Sequence, residues 1–447
     1  MVETPIPRLV TAMFIPTLIT NLITTIYNTA DTFFVSRIST SSAAAVGVVY
    51  SLMALIQAVG YGISMGTSAQ ISRLLGAKEN GKANEVASSG VFFELSMGIL
   101  IMILGLITLN PLMRLLGATE TVLPHAVRYG RLILIGAPAL CVSFVLGSIL
   151  RSEGEAVYSM IGFGIGGVLN ILLDPVFIFI LEMGVAGAAL ATVISQTVSL
   201  ILMLAFFLRG RSIVHLRVRS ISRELPVYGR ILSNGLPTIL RQGMGSLSSA
   251  LLNNAAAAFG DSALAAVTVA NKIYMLIRNI VLGIGHGFQP VAGYNFGAGE
   301  YGRVRKSFSF SVAVATGFCL LSTVFFALFA PQVIGWFRSE DPDMLRIGVQ
   351  ALRFLCISMP LMGYSTYTNQ LYQCLGFEVG ATLLACCRQG FFYVPLILIL
   401  PSLIGLDGIL LTQPAADVLT FLISIPCQVL FFRRHIPLET DREGRKE

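Results

Sequence analysis

Long apolar runs, interrupted by short polar stretches, recur along the whole chain. Reading each run against the ~20 residues that a helix needs to cross a bilayer marks twelve spans. They cover roughly 10–36, 43–70, 86–109, 126–149, 158–180, 187–208, 231–257, 264–292, 307–330, 347–372, 380–400 and 408–432. The runs are continuous and do not alternate with polar residues. In lipid only helices or a closed barrel satisfy the backbone, so the pattern predicts helices and not a barrel. The first run is long enough to span and follows a polar, proline-containing start, MVETPIPRLV, so it is read as a retained helix and not a cleaved signal.

The pattern also repeats. Residues in the second half match the first at a shift of 221 positions. Pro16-Thr17 meets Pro237-Thr238, AAVG at 44–47 meets AAVT at 265–268, and GVAG at 184–187 meets GLDG at 405–408. RLLGAKENGKANE at 73–85 meets YNFGAGEYGRVRK at 294–306, and Gly154 meets Gly376 with the shift slipped by one. Each repeat holds six spans, and an even number returns the chain to its starting side. The repeats are therefore parallel. Two such lobes with a cleft between them are a common transporter plan. The expected organisation is an N-terminal lobe at 1–208, an Arg-rich linker at 209–230, a C-terminal lobe at 231–432 and a tail at 433–447.

Composition agrees with membrane insertion: 55% of the 447 residues are hydrophobic and only 12% are charged, about half the charged share of a soluble protein. The net charge of +7 points to orientation and not to nucleic acid. With the N-terminus inside, the inner segments carry nineteen basic residues. The outer set holds five: Arg37, Arg114, Arg128, Arg338 and Arg346. The positive-inside rule then places both termini in the cytoplasm of a multi-pass protein. The seven cysteines lie mostly inside apolar runs without ligand spacing and read as small core residues. No HExxH, paired-His or Walker motif is present, which argues against an enzyme or direct ATP drive.

The informative residues are the polar ones inside the spans. Asp31, Glu94, Asp174 and Asp417 are the intramembrane acids. A carboxylate at a helix centre costs about 2.5–3.5 kcal/mol on insertion scales, so each is expected to face a cavity, a partner or an ion. Asp31 lies late in the first span and Asp174 late in the fifth. Both spans run outward, so both acids fall at similar depth. Asn170 lies one turn before Asp174 on the same face, and Tyr129 and Thr192 begin the fourth and sixth spans at that depth. Two neighbouring carboxylates in low dielectric repel, which suits a site for H⁺ or for Na⁺, a hard cation that takes oxygen ligands. Pro16, inside the first span, permits a kink that could serve as a hinge.

The second half differs. Its spans carry Arg241, Lys272, Arg278 and Arg388, with polar partners that include Gln242, Asn271, Tyr364 and Asn369. Arg278, near mid-span, is expected to face the cleft or an acid, and Asp417 to pair with one of the cations. Gln242, Asn271, Arg278, Tyr364, Asn369 and Arg388 are the candidate substrate-cleft residues. His286 in GIGHGFQP reads as a packed helix residue.

The ordered set IPTLITNLITTIYNTADTFFV, NILLDP and GIGHGFQPVAGYNFGAGEYGR resembles the multidrug and toxic compound extrusion (MATE) transporters over about residues 8–432. The layout is most similar to the bacterial DinF-like and MepA-like branch. The resemblance implies an all-α integral membrane protein with twelve transmembrane helices in two pseudo-symmetric six-helix bundles. It implies a monomer in the bacterial inner (plasma) membrane that exports amphipathic, often cationic drugs in exchange for H⁺ or Na⁺, with no other cofactor and no nucleic-acid partner. It also implies that Asp31, Tyr129, Asn170, Asp174 and Thr192 form the cation or proton site and that Pro16 bends. Another branch of the family has additional acids in spans seven and ten. Here those spans read SSALLNNAAAA and STYTNQLYQC, so coupling is expected in the N-terminal lobe alone. The alternative is an exporter or flippase of a lipid-linked or anionic metabolite that uses the basic C-terminal cleft.

Overall fold

The computed structural model describes residues 1–336 and 341–436. Arg338 and tail residues 437–447 lie outside the described residues. Among those described, no strand occurs. The long helices are α1 (Ile6–Ser36), α2 (Thr40–Gly76), α3 (Asn80–Ile107), α5 (Leu123–Glu153), α6 (Ala156–Pro175), α7 (Val185–Leu208), α8 (Leu225–Ala257), α9 (Asp261–Gly297), α10 (Tyr301–Gly335), α11 (Pro342–Leu375) and α14 (Leu406–His435). Short α4 (Leu109–Leu115) follows α3, and α12 (Glu378–Cys386) and α13 (Tyr393–Ile404) share one further span. Every expected span coincides with a helix. Eleven are long and apolar enough to cross a membrane by composition alone. The twelfth, α8, carries Arg230, Asn234, Arg241, Gln242, Asn253 and Asn254, which lower its hydropathy.

The helices outrun the apolar runs at their ends. α8 begins at Leu225 and not at 231, and α14 passes Arg433 and Arg434. Hydropathy marks where lipid contact stops, whereas backbone hydrogen bonding continues into polar flanks. Two π-helical turns interrupt regular spans: Val176–Ile180 directly after Pro175, and Cys387–Phe392 between α12 and α13.

The chain forms two compact units. One is Thr11–Ile239; the other joins Met1–Val10 to the chain from Leu240 on. In the first, α5 packs on α2, α3, α6 and α7, and its second half from Leu140 to Glu153 is buried without a break. In the other, α11 packs on α9, α10 and α14. The internal repeat is visible in local geometry. α5 and α11 both end at left-handed glycines, Gly154 (φ 99°) and Gly376 (φ 86°). Gly184 and Gly405, matched at the shift of 221, hold φ 57° and 61° with ψ −133° and −135°. Their partners Gly187 and Gly408 each abut a carbonyl, of Phe177 and Leu400 respectively, where a β-carbon has no room.

The Arg-rich linker is anchored rather than merely charged. Glu153, ending α5, accepts from Ser212 Oγ (2.7 Å), the Ile213 amide (3.1 Å) and the Val214 amide (3.0 Å). Asn84, Ser88 and Ser89 of α3 accept the amides of His215, Arg217 and Ser222.

Candidate functional site

Asp31 sits near the C-terminal end of α1, and its Oδ2 accepts from the Tyr129 hydroxyl on α5 at 2.7 Å. Across from this pair, α6 presents Asn170 and Asp174 one turn apart. Asn170 Nδ2 donates to Asp174 Oδ1 at 3.4 Å and to Thr192 Oγ1 on α7 at 3.3 Å. Thr192 in turn donates to the Ala188 carbonyl. Asp31 is near enough for its charge to act on Asp174, and both acids act on Tyr129. The structure thus brings all five residues to one place, from four helices. All five are buried, yet Asp31 Oδ1, Asn170 Oδ1 and Asp174 Oδ2 have no hydrogen-bond partner. Buried polar atoms are nearly always satisfied, so three orphaned acceptor oxygens in one cluster set it apart from the surrounding core. Asn170 and Thr192 also line a partly open cavity, together with Thr20, Tyr27, Tyr61 and Phe144.

Pro16 lies within continuous α1. Its missing amide is flanked by hydroxyls that bond backwards: Thr17 to the Met13 carbonyl and Thr20 to the Pro16 carbonyl, both at 2.9 Å. Such back-bonding competes with the helical ladder and favours bending.

In the other unit, Asp417 of α14 is the acid that a cation meets, as expected, and the cation is Arg388. Its Nε lies 2.7 Å from Asp417 Oδ1, with side chains 12% and 2% exposed. Asp417 also accepts from Tyr274 of α9, Ser358 of α11 (3.0 Å) and Gln413 (2.9 Å), and Arg388 donates to Tyr274 as well. Arg278 is not the partner of this acid. Its Nε is buried with no hydrogen-bond partner, and the charges of Arg388 and Arg241 weigh on it more than that of Asp417. Arg241 donates to Asn369 Oδ1 at 3.2 Å, and Asn369 donates to the Ala381 carbonyl. Tyr364 belongs elsewhere: it donates to Gln428 and packs edge-on against Phe308 and Phe421. Gln242 and Asn271 are half-buried on α8 and α9 and are not drawn into the Arg388–Asp417 network. Tyr274 and Gln413 were missed as site residues. Each sits four positions before a charged residue, Arg278 and Asp417, and so shares its helix face.

The MatE family model matches residues 16–176 and again 237–397. The chain belongs to the MATE transporter family. Its two matches are offset by 221 positions, the period of the internal repeat. This MATE protein is 26% identical over 412 residues to the multidrug export protein MepA of Staphylococcus aureus (strain MSSA476), covering 91% of this chain and 90% of that one. Its fold is similar to an outward-facing MATE family transporter of the MOP superfamily, with TM-score 0.90, 29% identity and 96% of each chain covered. A MOP superfamily transporter from Pyrococcus furiosus Vc1, described as having a binding pocket of reverse polarity that suggests a different function, matches with TM-score 0.88 and 29% identity, covering 96% of this chain and 97% of that one. The twelve-span all-α fold is thus that of MATE transporters, which are multi-pass membrane proteins and not enzymes. Among the described residues, no group of three or more His, Cys, Asp and Glu side chains is arranged to hold a metal.

Proposed function

We propose that this MATE transporter is a secondary antiporter of the bacterial inner membrane, acting as a monomer with both termini in the cytoplasm. It would export amphipathic compounds in exchange for entering H⁺ or Na⁺. Lobes 1–208 and 231–432, joined by the linker 209–230, would alternate access. The observation that carries this reading is the buried cluster of Asp31, Tyr129, Asn170, Asp174 and Thr192 with its three orphaned oxygens. Empty, its two carboxylates repel. A proton or Na⁺ relieves that repulsion, and it drives the transport cycle to the extent that it binds one lobe conformation more tightly than the other. The adjoining cavity offers hydroxyls, amides and aromatic rings, a surface suited to amphipathic molecules. Pro16 and the back-bonded hydroxyls beside it supply the bend through which α1, carrying Asp31, would respond.

The test is dye efflux from cells or proteoliposomes, with a pH gradient and then a Na⁺ gradient as the only drive. Wild type should export under one gradient, which names the ion, and Asp174→Asn should not. Efflux that survives in both Asp31→Asn and Asp174→Asn would sink the mechanism.

A second reading of the substrate has its own observation. Arg241, Arg278 and Arg388 lie close enough in the C-terminal unit for their charges to act on one another, and the one carboxylate among them is already taken by Arg388. That favours an anionic or lipid-linked compound, and the reversed pocket polarity described for the Pyrococcus furiosus relative is a precedent within the fold. Competition of anionic against cationic dyes for wild type and Arg278→Gln separates the two. If Arg278→Gln leaves anion competition intact, this second reading fails.

A further inference from the structure

Glu94 lies in mid-α3, fully buried, and neither of its carboxyl oxygens has a hydrogen-bond partner. Two helices, α2 and α5, pack against it. From α2, Gly60 approaches so closely that a β-carbon there would stand 3.2 Å from Glu94 Oε1 and 2.9 Å from the Phe144 ring. Ser64, one turn further along α2, turns its hydroxyl toward the carboxyl and is the neutral donor that acts on it. From α5 come Phe144 and the thiol of Cys141. No cation is among the groups that act on Glu94 in the described residues. Arg151 of α5 is committed to Ser159 at 2.9 Å, and its charge bears on Tyr61.

An ionised carboxylate in such surroundings is costly, and a neutral acid far less so. An acid retained in a membrane-spanning helix usually has a use there. The cavity suggests which. Phe144 lines the cavity that Asn170 and Thr192 also line and stacks on Tyr61, another lining residue, at 4.2 Å between ring centroids. Phe144 therefore lines the cavity while its ring and the Glu94 carboxyl approach the same point beside Gly60.

We propose that Glu94 is a second proton-binding carboxyl of the N-terminal unit, filled from and emptied into this cavity when the Phe144 ring turns aside. Loading moves one proton from cavity water to a Glu94 oxygen, and unloading returns it to water; no other bond changes. The proposal goes beyond the Asp31–Asp174 reading and stands or falls separately from it.

Infrared difference spectroscopy of the purified full chain in lipid tests it, by following the carbonyl stretch of protonated carboxyls as pH is varied. Glu94→Gln, an isostere of the neutral acid, should remove one protonated-carboxyl band. That band should titrate in wild type and persist in the Asp31→Asn/Asp174→Asn double variant. Phe144→Ala should speed its deuterium shift severalfold. If Glu94→Gln removes no such band, Glu94 is ionised and the proposal fails. If the band is present but constant at every pH in both wild type and Phe144→Ala, the proton is structural and the proposal also fails. Dye efflux in the double variant reads the coupling proposal independently.

Discussion

The Tyr129 hydroxyl donates to Asp31 Oδ2 at 2.7 Å and so ties α5, the helix with the most packing partners in its unit, to the proline-containing α1. α5 contains an interior proline of its own, Pro138, but is held on several sides, while α1 carries Pro16 with back-bonded hydroxyls beside it. The bond therefore connects a densely packed element to one in which a proline permits a bend. Tyr129→Phe keeps the ring packing and removes only the donor. Gradient-driven efflux should fall by on the order of tenfold, the factor equivalent to about 1.4 kcal/mol, within the worth of a hydrogen bond to a charged group. Unchanged efflux in well-folded Tyr129→Phe would show that the bond is not used in transport.

Asn170 and Thr192 should separate cleanly. Asn170 Nδ2 serves both Asp174 and Thr192, whereas the Thr192 hydroxyl also rests on its own helix through the Ala188 carbonyl. Asn170→Ala strips Asp174 of its amide donor. It should impair ion-driven efflux more than Thr192→Val, which leaves that donor in place. Transport assays of the two variants at matched expression check the order, and equal losses would contradict it.

Removing one partner of the Arg388–Asp417 pair should destabilise the protein. The pair is almost fully desolvated, and four donors converge on Asp417. Breaking a buried pair from one side typically costs about 3–5 kcal/mol, because a charge is left without compensation. Asp417→Asn should therefore lower the unfolding temperature of detergent-solubilised protein clearly. Asp417→Asn combined with Arg388→Met should recover part of the loss. A double variant as unstable as the single would mean that the cost does not arise from the stranded charge.

What the sequence makes legible follows from what lipid enforces. Twelve spans stand out because a bilayer demands long apolar helices, and their ends blur because polar flanks can stay helical. Asp31, Asn170 and Asp174 stand out because acids and amides are costly in lipid, and depth alone gathers them with Tyr129 and Thr192. The choice of Arg388 over Arg278 as partner of Asp417 was hidden. Arg388 lies in the π-helical turn Cys387–Phe392, where the wider turn changes which face a residue presents, and ideal helical spacing does not foresee that. Anchoring of the linker was hidden too, because it rests on backbone amides captured by Glu153, Asn84, Ser88 and Ser89, and amides leave no trace in composition.

Glycines on α2 should divide by what stands opposite them. A β-carbon at Gly66 would run into the Ile231 carbonyl of α8, and one at Gly235 into the Gly62 carbonyl. Both obstacles are backbone, so neither can swing away, and small residues at such crossings let helices approach. Gly66→Ala should destabilise by about 1–3 kcal/mol, the usual cost of overpacking. Gly47, also on α2, has nothing within 4 Å of its notional β-carbon. There alanine should be neutral or stabilising by up to about 1 kcal/mol, from helix propensity. Thermal unfolding of the two variants side by side decides the matter, and a fall at Gly47 as large as that at Gly66 would contradict the packing account.

Glu153 should control the linker. It accepts three hydrogen bonds within Ser212–Val214, and a buried acceptor of this kind cannot be replaced by water without opening the contact. Glu153→Ala removes all three at once, and the freed donors would have to find water. Each hydrogen bond to a charged group is worth about 1.5–3 kcal/mol, so the first part of the linker should detach from the end of α5 while Asn84, Ser88 and Ser89 still hold the residues beyond it. Hydrogen–deuterium exchange should then rise sharply at Ile213 and Val214 and only modestly at Arg217 and Ser222. A uniform rise across the whole linker would instead make α3 and α5 a single anchor, and no rise at Ile213 would show that the carboxylate is not what holds that segment in place.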